Sequence, residues 1–306
     1  MRNLRLPTNH LSSGIKMNMK RNLDKRPKGQ AGKNDSSFEL KTDEKAIIMS
    51  GYGINSEMET QEAFRRAGLG SDIVHINDLI AGRKKVSDYR LLVFPGGFSY
   101  GDDTGAGNAF ANRVRNNLWR DVENFLDADN LVLGICNGFQ ILANLGLVPA
   151  FNKRYERDIA LMPNKKGVLE CRFVTLKPVS DNLWTKGIER IYCPVSHGEG
   201  NFFCSPETLS RLQKKNMITF QYCNDDLSPA HGEYPANPNG SVEDIAGITS
   251  EDGKVLGLMP HPERAMNFTS LYDWPYQKER LKREGKKIPH ESLNMQFFKN
   301  IVDYFS

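Results

Sequence analysis

The chain has 306 residues, 39% hydrophobic and 25% charged, the balance of a soluble globular protein. No apolar run approaches the roughly 18 residues of a membrane span, which argues against a membrane protein. Of the net charge of +4, residues 1–40 hold more than the whole: nine basic and three acidic side chains, leaving residues 41–306 at −2 with no reason to expect a nucleic-acid partner.

Residues 1–40 lack periodicity and are rich in Asn, Lys, Arg, Gly and Ser, which predicts a disordered basic tail. They contain no apolar core for a secretory signal. The folded domain is expected over 41–306. Lys45–Met49 reads as its first strand. Ser56 and Glu59 then have the spacing of a capping box. The helix they start turns Ala63, Phe64 and Ala67 inward and stops at Gly68. Asp72–Ile76 and Leu91–Pro95 are the next strands, the latter running into Gly96-Gly97. A helical stretch over 109–125 leads to the apolar run Leu131–Ile135. Strands alternating with helices imply an α/β fold: an open, mostly parallel sheet flanked by helices. The second half is richer in strand, with candidates at 171–176, 191–195, 218–222, 245–249 and 255–259, and Asp252-Gly253 as a tight turn between the last two. Residues 268–288 read as a charged, loop-rich insertion. A closing helix carries Phe297, Phe298, Ile301, Val302 and Phe305 on one face. Functional groups are expected at the carboxyl ends of the strands.

Cys136 is the chemically informative residue. It stands where the strand Leu131–Ile135 meets a small-residue helix, with Gly134 and Gly138 on either side. Such a junction exposes a nucleophile and aims the first helix N–H groups at it. A helix N-terminus also favours the thiolate. The other cysteines are Cys171, Cys193, Cys204 and Cys223. The count is odd and there is no Cys-x-x-Cys, so reduced thiols in a cytosol fit better than disulfides or a zinc ribbon. No metal site is expected.

A thiolate attacking a carbonyl needs oxyanion donors, a base and a group to orient the base. The backbone N–H groups of Asn137 and Gly97 are candidate donors. Of six histidines, His10 lies in the tail, His231 and His290 in polar loops, and His75 in a strand. His197-Gly198-Glu199 and His261-Pro262-Glu263 each place a carboxylate two residues on, on the same side of an extended segment. Spacing alone does not choose between them. A deaminase signature, a dinucleotide fingerprint and a phosphate loop are each incomplete, so no nucleotide site is expected.

Five stretches carry a resemblance: Pro95–Asp102 (PGGFSYGD), Gly134–Leu142, Val195–Asn201 (VSHGEGN), Asn237–Gly247 (NPNGSVEDIAG) and Met259–Ala265 (MPHPERA). The chain resembles the class I glutamine amidotransferases, whose fold is flavodoxin-like. Within them it is similar to the glutaminase subunits of phosphoribosylformylglycinamidine synthase, an enzyme of purine biosynthesis. The resemblance implies that Cys136 is the nucleophile, His261 the base and Glu263 its orienting acid. Gln140, Ser196, His197 and Glu199 would shape the glutamine pocket or the docking face. It implies glutamine as substrate, with the ammonia passing to a synthetase subunit bridged by a small third subunit. No cofactor is expected on this chain; ATP and magnesium would act on the synthetase. The implied location is cytoplasmic. Neither the tail nor the insertion belongs to the family pattern. The competing readings are a free-standing γ-glutamyl hydrolase or peptidase and a non-catalytic scaffold on the same fold.

Overall fold

The computed structural model describes residues 39–306, so the tail expected over residues 1–40 lies almost wholly outside the described residues. Order is already in place at Lys41, whose N–H donates to the Gly68 carbonyl at 2.8 Å.

The first four strands, β1 (Lys45–Ser50), β2 (Gly70–His75), β3 (Leu91–Phe94) and β4 (Leu131–Ile135), match the expected segments within two residues at either end. Two strands were not anticipated, β5 (Ile159–Pro163) and β8 (Glu199–Cys204), which pair with each other as a separate ribbon. The rest are β6 (Glu170–Pro178), β7 (Ile191–His197), β9 (Ile218–Cys223), β10 (Ile245–Thr249) and β11 (Val255–Leu258). Nine strands form one sheet in the order β2-β1-β3-β4-β11-β10-β9-β6-β7. The first five run parallel, the 2-1-3-4-5 order of a flavodoxin-like fold. From β10 onward each neighbour is antiparallel. Among the described residues only β10 and β6 therefore run against the common direction, which keeps the sheet mostly parallel.

β3 and β4 are buried at every position, because helices cover the sheet. Helix Glu57–Ala67 meets the closing helix Met295–Asp303 through Phe64 and Phe298, whose rings lie edge to face at 5.5 Å. Phe305 falls beyond that closing helix. The stretch expected as one helix over 109–125 is two, Asn108–Asn117 and Trp119–Asp127, broken at Leu118. The 268–288 segment is less loop-like than its composition suggests: it holds helix Trp274–Arg283, none of whose residues is buried. No described helix is long and apolar enough to cross a membrane.

The capping box does not form. Ser56 occupies the N-cap of helix 57–67, but its hydroxyl makes no cap hydrogen bond. It accepts instead from the Arg264 guanidinium at 2.6 Å, which also reaches Glu59 at 3.3 Å. Arg264 follows the His261-Pro262-Glu263 segment, so a guanidinium with several donors replaces a local cap and ties this helix to that loop.

The order β3-β4-β11 positions the site. These strands are adjacent and parallel, and their carboxyl ends deliver Gly96-Gly97, Cys136 and His261 side by side. β7 lies at the far edge of the sheet, yet the His261 N–H donates to the Pro194 carbonyl of β7 at 2.9 Å. The antiparallel half must therefore curl back over the carboxyl ends of the parallel half.

Candidate active site

Cys136 ends β4 and caps helix Asn137–Leu145 with φ 52° and ψ −107°. A side chain held in such a region costs about 1–3 kcal/mol and persists only where its surroundings enforce it. Here the Cys136 N–H is held by the Leu258 carbonyl of β11 at 2.8 Å, and its carbonyl accepts from the Gln140 N–H at 3.1 Å. The flanking glycines do not adopt positive φ. They permit close approach: a Cβ on Gly138 would stand 1.8 Å from the Phe94 carbonyl oxygen, and one on Gly134 2.7 Å from the Gly138 backbone. The strained residue is the cysteine itself.

Two loops frame the thiol. A Cβ on Gly97 would stand 2.6 Å from the Gly53 carbonyl oxygen, so on that side the close neighbour is the loop after β1. Its N–H stays open: among the described residues neither the Gly97 nor the Asn137 N–H donates to a protein acceptor. Gly96 makes room for His261. A Cβ there would lie 2.5 Å from Cε1 of His261.

His261 and Glu263 are both buried, and Nδ1 of the imidazole lies 2.6 Å from the Glu263 carboxylate. Burial opposes a charge on His261. The Glu263 carboxylate and then the Cys136 sulfur outweigh it, and the imidazole pKa is raised to about 10. Nε2 makes no hydrogen bond of ordinary geometry, though the Cys136 sulfur is near enough to favour the charged ring.

His197, the rival base, is also buried but differently held. Its neighbour Glu199 is turned away and accepts from the Ala106 N–H at 3.1 Å. The Nδ1 partner is Asn164 at 3.1 Å, a residue no sequence signal indicated. Burial, followed by the nearby His261, lowers the His197 pKa to about 4. Of the two imidazoles only His261 is favoured as a cation at neutral pH, and a buried carboxylate is its partner. The two histidines that spacing could not separate thus sit in different surroundings: His261 on a buried carboxylate, His197 on an amide.

The remaining candidates divide. The Ser196 carbonyl lies 3.7 Å from the Cys136 sulfur. Asn137 accepts from the Ser99 N–H at 3.3 Å and donates to Gln140 at 2.9 Å and to Asp102 at 3.4 Å. Gln140 in turn donates to the Glu199 carbonyl, which fastens the start of β8 to the helix that Cys136 caps. Beside Gln140, one helical turn from Cys136, a cavity of about 340 Å³ is lined by Glu199, Arg157, Ala106 and Asn144. Asp102 is half-buried; burial first, then Glu199, raises its pKa to about 6. It had been quoted only as part of the Pro95–Asp102 motif.

The Asn237–Gly247 stretch does not supply reacting groups. It is a buried hydrogen-bonded loop. Asn237 holds the Gly240 and Ser241 N–H groups, and Asn239 donates to the Tyr222 hydroxyl at 3.0 Å. Ser241 accepts from the Phe202 N–H and donates to the Gly200 carbonyl. The loop thus fixes β8 and, through it, the His197–Gly200 turn. Among the described residues no group of three or more His, Cys, Asp or Glu is gathered to hold a metal ion.

Residues 43–305 match the CobB/CobQ-like glutamine amidotransferase domain family. A curated relative, phosphoribosylformylglycinamidine synthase subunit PurQ of Methanococcus maripaludis (strain S2 / LL), is 50% identical over 271 residues, covering 87% of this chain and 99% of its own. A phosphoribosylformylglycinamidine synthase of Drosophila melanogaster is 39% identical over 241 residues, which are 76% of this chain but 18% of that longer protein. Among solved structures, a chain of PurLQS from Thermotoga maritima superposes with a TM-score of 0.61 at 27% identity, over 86% of this chain and 99% of its own.

Proposed function

Since the chain belongs to the CobB/CobQ-like glutamine amidotransferase family, we propose that it is the glutaminase component of a phosphoribosylformylglycinamidine synthase, with Cys136, His261 and Glu263 as its catalytic triad. The observation that carries the catalytic assignment is the buried Glu263–His261 pair at 2.6 Å beside a cysteine held at a strand–helix junction. The partner assignment rests on the PurQ relatives and on the likeness to a chain of a PurLQS assembly.

The Cys136 thiolate attacks the side-chain carboxamide carbon of glutamine. The free N–H groups of Gly97 and Asn137 receive the oxyanion. The His261 imidazolium, held in its orientation by Glu263, gives its proton to the leaving nitrogen, and ammonia departs. Water then attacks the glutamyl thioester, His261 takes up the water's proton, and glutamate is released. Glu199 and Arg157 face the cavity beside Gln140 with opposite charges, which suits the ammonium and carboxylate of the substrate's amino-acid end. Gln140 forms its wall, and the Ser196 carbonyl and His197 border the leaving group.

The ammonia passes to a synthetase subunit with a small bridging subunit, and ATP and magnesium act on that partner rather than on this chain. The setting is the cytoplasm. The test is glutamate release from glutamine by the purified chain, with and without the synthetase partners, ATP and formylglycinamide ribonucleotide. Strong stimulation by the complete mixture is expected. Activity indifferent to the partners would replace this reading with a free-standing glutaminase or peptidase.

A further inference from the structure

His197 holds a buried lone pair with nothing bound to it. The side chain of Asn164 fixes which nitrogen this is. Asn164 Nδ2 donates to the carbonyls of Val168 at 2.9 Å and His197 at 2.7 Å, so its Oδ1 is the acceptor end. That oxygen accepts from the Gly200 N–H at 3.1 Å and faces His197 Nδ1 at 3.1 Å. Nδ1 must therefore carry the ring proton, and Nε2 is left as a bare acceptor. The residue is 1% exposed and Nε2 makes no hydrogen bond in the protein. Such an acceptor is costly unless a ligand satisfies it.

The ring is placed deliberately. Gly200 lies against its face, and a Cβ there would stand 2.3 Å from Cε1. The preceding residue, Ser196, puts its carbonyl 3.7 Å from the nucleophile. His261, arriving from the loop after β11, is close enough for its charge to act on His197. Opposite in β6 is Glu170, already paired with Arg172 at 3.1 Å. Glu199 is committed to Ala106. The imidazole that must protonate the leaving nitrogen is thus flanked by a second imidazole offering only an acceptor.

We propose that Nε2 of His197 accepts a hydrogen bond from the glutamine carboxamide N–H and then from the ammonia that leaves it. The inference rests on the glutaminase reading above. When the C–N bond breaks, its electron pair stays on nitrogen and one proton comes from His261. The two hydrogens already on that nitrogen need acceptors, and the Ser196 carbonyl and His197 Nε2 provide them. Because the ring donates nothing at Nε2, it does not protonate the ammonia it receives.

The test compares two substrates on the assembled complex: glutamine, and glutamate γ-methyl ester, whose leaving oxygen bears no hydrogen. His197→Phe keeps a flat ring and removes the acceptor. Its kcat/KM should fall about 10–100-fold for glutamine and stay within about threefold for the ester. Asn164→Asp is the second variant. A carboxylate at Nδ1 favours the imidazolium, which turns Nε2 into a donor, and the same selective loss is expected. Equal loss on both substrates, or none on either, would overturn the inference for whichever variant folds. Cys136→Ala separates the two levels: ester hydrolysis surviving without Cys136 would refute the underlying glutaminase reading instead.

Discussion

Replacing Glu263 by Gln tests the charge arrangement at the centre of the site. The substitution keeps size and shape but removes the negative charge 2.6 Å from Nδ1 of His261. With Glu263 in place the imidazole pKa stands near 10 rather than the ordinary 6.5. Without it, only the Cys136 sulfur opposes burial, and the pKa falls. A full return to the ordinary 6.5 would correspond to about 5 kcal/mol of lost preference for the imidazolium, as an upper bound. A Gln amide also presents a donor to Nδ1 and favours the wrong tautomer. Loss of the equivalent charge in a serine triad costs roughly 10⁴ in rate, of the same order. Glutamine-dependent kcat in the assembled complex should therefore fall about 10³–10⁴-fold. Synthesis from added ammonia should be unchanged, because the partner's chemistry does not pass through His261. A fall of less than tenfold, or an equal loss of ammonia-dependent synthesis, would refute the reasoning.

Cys136→Ala should abolish glutamine-dependent synthesis and spare the ammonia-dependent reaction, measured side by side on the same complex. Gly138→Ala would drive a methyl into the Phe94 carbonyl, 1.8 Å away; a loss of about 3 kcal/mol or more is expected in urea unfolding, and an unchanged midpoint would contradict the packing argument. Asp102 keeps its proton up to about pH 6 when folded against the ordinary 3.8, so the folded state binds more protons in that window and stability falls as pH rises through it. Asp102→Asn should accordingly gain about 1 kcal/mol at pH 7, discounted for a half-exposed group. The gain should vanish below about pH 4; a gain that persisted at pH 3.5 would show another cause.

Leu131–Ile135 and Leu91–Phe94 were legible as buried strands because nothing but an apolar run can lie between two helical layers. The junction at Cys136 was legible for a related reason: two glycines around a cysteine at the end of such a run have few other uses. β5 and β8 form a ribbon apart from the main sheet: β5 is only partly buried, and the alternating burial of β8 is hidden in the sequence by Gly200 at a buried position and Phe203 at an exposed one. The capping box at Ser56 and Glu59 misled because local spacing says nothing about a guanidinium 208 residues away along the chain. Gly134 and Gly138 are visible in the sequence by position, but the close approach they permit depends on neighbours that spacing does not name.

The sequence by itself determined the parallel half of the sheet, a cysteine at a strand–helix junction and two histidine–carboxylate pairs, because strand periodicity and strand-end position are properties of contiguous residues. Only the tertiary structure separates these two histidines by their surroundings. Both histidines carry a carboxylate two residues on, but the fold turns Glu263 onto His261 and Glu199 away from His197. It did so by curling β7 from the far edge of the sheet back to Cys136 and by bringing Asn164 under the second ring. Such placements depend on burial and on partners distant in the chain, and those are what set whether an imidazole is held charged or neutral.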